Sequence, residues 1–143
     1  ILDNSTTGMT GHQDHPGTGC TLKGSEVPPL DLVKLIEAIG IKHIRVVDPF
    51  ELDQVEKVLR EEVQRDEPSV VIMQRSCALL NKSVKPPVEI DLDLCRKCNA
   101  CLRLGCPAIQ KKQDAMVIDL ALCNGCGLCI GVCRFNAIRR TGE

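Results

Sequence analysis

Cys95-Arg96-Lys97-Cys98-Asn99-Ala100-Cys101-Leu102-Arg103-Leu104-Gly105-Cys106 and Cys123-Asn124-Gly125-Cys126-Gly127-Leu128-Cys129-Ile130-Gly131-Val132-Cys133 are two copies of one phrase, set 28 residues apart. Each opens Cys-x2-Cys-x2-Cys and closes on a fourth cysteine, after four intervening residues in the first copy and three in the second. The lead-in repeats as well: Glu89-Ile90-Asp91-Leu92-Asp93-Leu94 stands against Val117-Ile118-Asp119-Leu120-Ala121-Leu122. The copies also finish alike, on Ala108-Ile109 and on Ala137-Ile138. This internal repeat holds eight of the ten cysteines, leaving Cys20 and Cys77 outside it.

The spacing suits a cubane. Three thiolates separated by two residues each wrap three irons, a distant cysteine serves the fourth, and where two such runs occur that cysteine comes from the other run. Cys95, Cys98, Cys101 and Cys133 are therefore expected to hold one [4Fe–4S] cluster, and Cys123, Cys126, Cys129 and Cys106 a second. Structural zinc takes four ligands, commonly as two spaced Cys-x2-Cys pairs, and two successive triplets do not follow that grammar. A disulfide framework belongs to secreted chains, and no secretory signal is visible. Two details depart from the usual spacing: the Cys101–Cys106 gap is one residue long of three, and Arg134 stands where proline commonly follows the last cysteine. Arg134 either offsets negative cluster charge or is simply a surface residue. Gly125, Gly127 and Gly131 let the second loop turn tightly.

Composition restricts the rest. The chain has 143 residues, with 2 Phe and neither Trp nor Tyr, so base-stacking platforms are not expected. Lys plus Arg is 18 against 19 for Asp plus Glu, and no apolar run approaches a membrane span. Residues 1–88 carry 10 basic and 13 acidic residues, and residues 89–143 carry 8 and 6, neither balance large enough to specify a partner. The cysteine clustering divides the chain in two, and Pro86-Pro87 favours an extended junction. We expect an α/β part over residues 1–83, a linker at 84–88 and a cluster domain over 89–143, in a reducing cytoplasmic setting where Cys20 and Cys77 stay free thiols.

The first part alternates between helix and strand patterns. Leu32, Leu35, Ile36 and Ile39 share a helical face, with Asp31 as cap and Gly40 as stop. His43–Val47 reads as a strand. Asp48-Pro49-Phe50-Glu51 carries the signals of a capping box, followed by Leu52, Val55, Val58, Leu59 and Val63 at helical spacing. Ser69-Val70-Val71-Ile72-Met73 reads as a strand buried on both faces. With Ile1-Leu2-Asp3 as the end of another, this makes a parallel sheet of about three strands, fewer than the usual four to six, as expected of the C-terminal piece of a longer domain.

Asn4 to Pro29 is a long Gly/Ser/Thr/His-rich segment, starting where ligands bind in doubly wound sheets, beyond the carboxyl end of a strand. Asn4, Ser5, Thr6, Thr7 and Thr10 offer oxygens, and Gly8, Gly11, Gly17 and Gly19 allow close backbone approach. This chemistry suits a diphosphate held through Mg²⁺, although composition alone favours a solvated polar loop.

Residues 89–140 resemble bacterial-type two-[4Fe–4S] ferredoxin domains. Leu2-Asp3-Asn4-Ser5-Thr6-Thr7-Gly8-Met9-Thr10-Gly11-His12-Gln13 resembles the thiamine-diphosphate motif of the 2-oxoacid:ferredoxin oxidoreductases. Its continuation Asp14-His15-Pro16-Gly17-Thr18-Gly19, with the cysteine repeat behind it, is most similar to the α subunits of the indolepyruvate branch. The resemblance implies an α/β parallel-sheet fragment of a thiamine-diphosphate-binding domain followed by a small α+β two-cluster ferredoxin domain. It implies further that Asn4 and the Thr6 carbonyl are Mg²⁺ ligands, and that Gly8, Met9 and Thr10 lie along the cofactor. A metal-binding aspartate and a cofactor-activating glutamate of the family would lie before Ile1. His12 falls where other branches often have glycine, which supports the arylpyruvate branch, and as a group that titrates near neutrality it is the catalytic candidate, loop hydrogen bonding being the alternative.

The implied reaction is oxidative decarboxylation of an arylpyruvate with coenzyme A to an aryl-acetyl-CoA, its electrons leaving singly through the clusters to an external ferredoxin. The implied partners are the N-terminal part of the same subunit, a β subunit, ferredoxin, coenzyme A and the oxoacid, with neither nucleic acid nor membrane. Two other readings stand beside it: a non-catalytic electron-transfer module, and an enzyme of the same family acting on aliphatic 2-oxoacids. Of the remaining residues, His15 suits a pocket or a loop hydrogen bond. Lys111 and Lys112 suit an acidic ferredoxin or a polar turn, and Glu56, Lys57, Arg60, Glu61 and Glu62 suit a solvated helix face.

Overall fold

β1 (Leu2–Asp3), β2 (His43–Val47) and β3 (Ser69–Gln74) form a parallel sheet in the order β1-β3-β2, with His43 opposite Ser69 and Leu2 opposite Met73. A computed structural model describes residues 1–7, 11–80 and 85–142. The chain divides into two compact units, Ile1–Asn81 and Lys82–Glu143.

In the first unit, α1 (Leu32–Ala38) starts where the Asp31 carboxylate accepts the Lys34 N–H at 3.1 Å. That bond holds the Asp31 carboxyl below its usual range. The helix ends at Gly40, whose φ of +94° suits glycine. α2 (Leu52–Val63) crosses from β2 to β3 and turns Val58 inward. The β-branched run of β3 pairs β1 on one side and β2 on the other. Its Ile72 is 1% exposed, a burial worth about 2–3 kcal/mol.

Three expectations change. The helix expected from Asp48 begins at Leu52, and its cap position, Glu51, makes no side-chain hydrogen bond. Asp48 instead closes a turn onto the Phe50 N–H at 2.9 Å, and its other oxygen is taken by Arg75, which also lies over the Phe50 ring. A carboxylate held by that long-range ion pair is unavailable to cap the helix. Glu62, read as part of a solvated face, is 6% exposed and bonded to Arg65 at 2.7 Å. Desolvation raises its carboxyl, but Arg65 and Ser69 pull it down further, so it lies below its usual range. The strand expected to be buried on both faces is fully buried at Ile72 alone, and Val46 beside it on β2 is 46% exposed.

In the second unit, β4 (Val88–Ile90) pairs antiparallel with β7 (Ile138–Arg140), and β5 (Ile109–Lys112) with β6 (Ala115–Ile118). A 3-10 helix at Cys101–Leu104 follows the first cysteine run, and α3 (Leu128–Val132) begins within the second. Val88, Cys101, Ile109, Met116, Cys129 and Ile138 form the core. Residues 85–88, expected as linker, pack into this unit instead: Val88 is buried in β4, and the Pro87 carbonyl accepts the Thr141 N–H at 3.0 Å. Val84 lies outside the described residues.

Candidate functional site

The second unit is built twice over. Asp91 and Asp119 open the two loops in the same way, the backbone carbonyl of each accepting from a cysteine N–H, Cys95 and Cys123, at 3.0 Å. Their carboxylates accept from the turn that follows, Asp91 from Asp93 and Leu94, Asp119 from Ala121. The Asp91 and Asp119 N–H groups donate to Ala137 and Ala108, which ties each loop to the end of the opposite copy. This exchange carries Cys133 to the first loop and Cys106 to the second.

Two cavities result. The first is lined by Cys95, Cys98, Cys101 and Cys133 over a floor of Ile90, Met116, Ala137 and Ile138, with Arg96, Asn99 and Phe135 also at its wall. The second is lined by Cys106, Cys123, Cys126 and Cys129 over Ile118, Val88, Ala108 and Ile109, the same positions of the repeat. The second holds about 150 Å³ and the first about 20 Å³. Among the described residues, no three His, Cys, Asp or Glu close into a group able to hold a single metal ion. The donor chemistry fits a cluster: four soft sulfurs per cavity, apolar floors and no competing carboxylate on either lining.

Burial decides the state of the innermost thiols. Desolvation pushes Cys101 up, and pushes Cys129 up to about 11, with their cysteine neighbours adding to both. Both thiols are thus protonated at neutral pH, and a cluster held by them would take thiolates, so its binding would release their protons.

In the first unit, Asn4 sits just beyond the carboxyl end of β1 and is exposed, its Oδ1 accepting the Thr6 N–H at 3.2 Å. Thr7 and Gln13 exchange backbone bonds at 3.0 and 3.3 Å, and the Thr6 hydroxyl donates to the Gln13 carbonyl. His12, next to Gln13, is exposed and left-handed at φ +55°. Gly8, Met9 and Thr10 fall outside the described residues. The Asp3 carboxylate accepts from Gln74 and the Ser5 N–H, which together lower its pKa. His15 Nδ1 accepts from Gly17 at the start of a 3-10 turn, so it shapes the loop.

Sequence reasoning did not find Phe135 or Arg140. Phe135 lines the first cavity, and Arg140 donates from Nη1 to the Gly125 carbonyl of the second loop at 2.7 Å. The signal for Phe135 was available: three residues separate Cys133 from Ala137, where Pro107 alone separates Cys106 from Ala108.

A parallel sheet with a polar loop at its carboxyl end, followed by a repeated cysteine domain, defines a class that the comparisons bear on. Residues 1–73 match the family described as thiamine pyrophosphate enzyme, C-terminal TPP binding domain, and residues 116–139 match the 4Fe-4S binding domain. The chain belongs to the thiamine pyrophosphate enzyme family and joins that domain to a ferredoxin-type one. Within the family it is similar to the C-terminal part of an indolepyruvate oxidoreductase subunit. It is 34% identical over its whole length to subunit IorA of Methanothermobacter marburgensis, covering 24% of that protein. To IorA of Archaeoglobus fulgidus it is 36% identical over 97% of the chain, covering 23%, and to that of Pyrococcus abyssi 35% over the whole chain, covering 24%. The chain thus spans about a quarter of the length of the curated relatives it matches. No described helix is long and apolar enough to cross a membrane.

Proposed function

We propose that the chain is the electron-outlet portion of a thiamine-diphosphate-dependent oxidoreductase that decarboxylates arylpyruvates with coenzyme A and reduces ferredoxin. The observation that carries this is the grouping of eight cysteines into two four-sulfur cavities in a chain that also carries a family-assigned thiamine-diphosphate domain. In this reading Cys95, Cys98, Cys101 and Cys133 hold one [4Fe–4S] cluster, and Cys106, Cys123, Cys126 and Cys129 the other. Asn4 and the Thr6 carbonyl take part of the Mg²⁺ shell, Gly8, Met9 and Thr10 run along the diphosphate, and His12 faces the substrate. Thiamine diphosphate, when bound, supplies the carbon chemistry, while the chain's groups bind, orient and conduct. Preference for an arylpyruvate rests on the likeness to the indolepyruvate oxidoreductases, and the β subunit, ferredoxin and coenzyme A enter on the same ground.

The test uses the full-length subunit with its partner. Under anaerobic conditions, indolepyruvate and coenzyme A should reduce ferredoxin, with iron and acid-labile sulfide each near eight per chain. Absence of turnover despite bound thiamine diphosphate and intact clusters sinks the arylpyruvate reading. Turnover with an aliphatic 2-oxoacid instead moves the enzyme to another branch.

A further inference from the structure

The two cavities differ in what surrounds them. Residues 95–106 carry Arg96, Lys97 and Arg103 and no acid, whereas residues 120–133 carry no charged residue at all. Cys133 and Phe135 both line the first cavity, Phe135 is 44% exposed, and the exposed Arg134 stands between them in the chain. Arg96, Lys97, Arg103 and Arg134 are all exposed, and none enters an ion pair among the described residues. Of the other basic side chains, Arg139 pairs with Glu89 and Asp91, Arg140 with the Gly125 carbonyl and Lys111 with Asp114, while Lys85 and Lys112 are exposed and lie outside the first loop and its mouth. Asp93 is the one exposed acid leading into the first loop. Cys98, at the first cavity, is the single exposed cysteine among the described residues, whereas the second cavity's four are half-buried or buried.

Resting on the functional reading above, we propose that the cluster held by Cys95, Cys98, Cys101 and Cys133 is the exit, and that Arg96, Lys97 and Arg134 form the docking rim for a small acidic electron-carrier protein. Free cations beside an exposed ligand do two things. They attract a negatively charged carrier and raise its encounter rate in a salt-dependent way. They also favour the more reduced, more negative cluster at the first cavity. The step is a single electron: the reduced cluster loses one, the carrier's oxidised centre gains one, and no bond or proton moves. Phe135 gives the rim an apolar contact next to its charges, the mixture found at the centres of protein interfaces.

The test compares two charge reversals of equal size in the cluster-loaded chain, Arg96→Glu/Lys97→Glu on the rim and Lys111→Glu/Lys112→Glu on the β5–β6 hairpin. The dissociation constant for an oxidised acidic plant-type ferredoxin is measured by calorimetry at low and high salt. The rate of electron transfer from the dithionite-reduced chain is measured to the same ferredoxin and to a zwitterionic viologen. The rim variant should weaken binding by about tenfold or more at low salt, narrowing at high salt, and lower the ferredoxin-to-viologen rate ratio by a similar factor. The hairpin variant should change both by less than about twofold. Arg96→Gln/Lys97→Gln should give the same effect in smaller measure, which guards against loss of cluster in the glutamate variant. Equal effects from rim and hairpin, a larger effect from the hairpin, or no binding to the unaltered chain overturns the proposal. None of these measurements involves an oxoacid, coenzyme A or thiamine diphosphate, so a failed decarboxylation leaves their outcome intact.

Discussion

Lys97 and Gly125 occupy the same position in the two cysteine loops and the same left-handed backbone, φ +52° and +67°. The pair Asn99 and Gly127 repeats the relation at +61° and +81°. Each Cys-x2-Cys turn thus demands a bend that L side chains resist, and the two loops meet the demand differently. In the first, Lys97 and Asn99 carry their side chains into solvent. In the second, glycine lets other backbone approach: a Cβ on Gly125 would lie 2.5 Å from the Lys85 carbonyl oxygen and 2.7 Å from that of Pro86. Identical spacing therefore yields one open loop and one covered loop. Ligand spacing states which metal is held, and the residues between the ligands state who can reach it.

The comparison depends first on the exchange of the fourth cysteines, and breaking that exchange has the largest effect. Cys101→Ser/Cys133→Ser removes two ligands of a single cluster if the sets are crossed, so about half the iron and sulfide should remain, near four per chain. Cys101→Ser/Cys106→Ser strikes both clusters and should leave neither intact. Iron analysis with low-temperature spectra of the reduced chains checks this, and the reverse pattern would mean that each copy keeps its own fourth cysteine. Next comes Gly125→Ala, which drives a methyl into two carbonyls that are backbone and cannot step aside, at a positive φ. A loss of at least about 3 kcal/mol is expected in thermal unfolding of the loaded chain. A loss under about 1 kcal/mol would show that residues 85–86 do not cover the second loop.

Much of this was legible in the sequence where the signal is local. The strand at His43–Val47, the β-branched run of β3 and the Asp31 and Gly40 stops of α1 all come from neighbours a few residues apart. The repeat announced two equivalent loops for the same reason. What could not be read depends on contacts across long separations. Asp48 looked like a cap and is claimed by Arg75, 27 residues away. Glu62 looked solvated because its helix is charged, yet it turns inward to Arg65 beneath β3. The prolines of 86–87 looked like linker chemistry, and the same absence of side-chain bulk and donors suits a segment laid against Gly125. In the segment that matches the thiamine pyrophosphate family the motif was specific, but Asn4 is seen only accepting from the Thr6 N–H, so the site was legible as a family mark more than as geometry.

Arg140 ties the end of β7 to the covered loop through its bond to the Gly125 carbonyl, and the first loop has no counterpart among the described residues, since Lys111, at the equivalent position of β5, pairs with Asp114. Arg140→Met keeps the aliphatic stem and removes the donor. A charge-assisted bond to a partly buried carbonyl is worth about 1.5–3 kcal/mol, so a loss near the lower end is expected, measured by denaturant unfolding of the loaded chain. An unchanged midpoint would leave Lys85 and Pro86 as the sole cover of the second loop.

The smallest effect is the most pointed. Lys97→Gly installs in the open loop the residue that the covered loop already uses. It relieves a left-handed lysine, a strain of about 1–2 kcal/mol, and gives back about 0.5–1 kcal/mol in unfolded-state entropy. A gain of up to about 1 kcal/mol in unfolding free energy is the expected result, with iron content unchanged. It also removes one rim charge, so ferredoxin binding should weaken while stability rises. Those opposite signs separate the two demands placed on position 97: the backbone there asks for glycine, and the carrier asks for a cation. A Lys97→Gly chain that loses stability would mean that the lysine side chain makes a contact in the loaded loop, and that the first loop is less open than its exposed residues indicate.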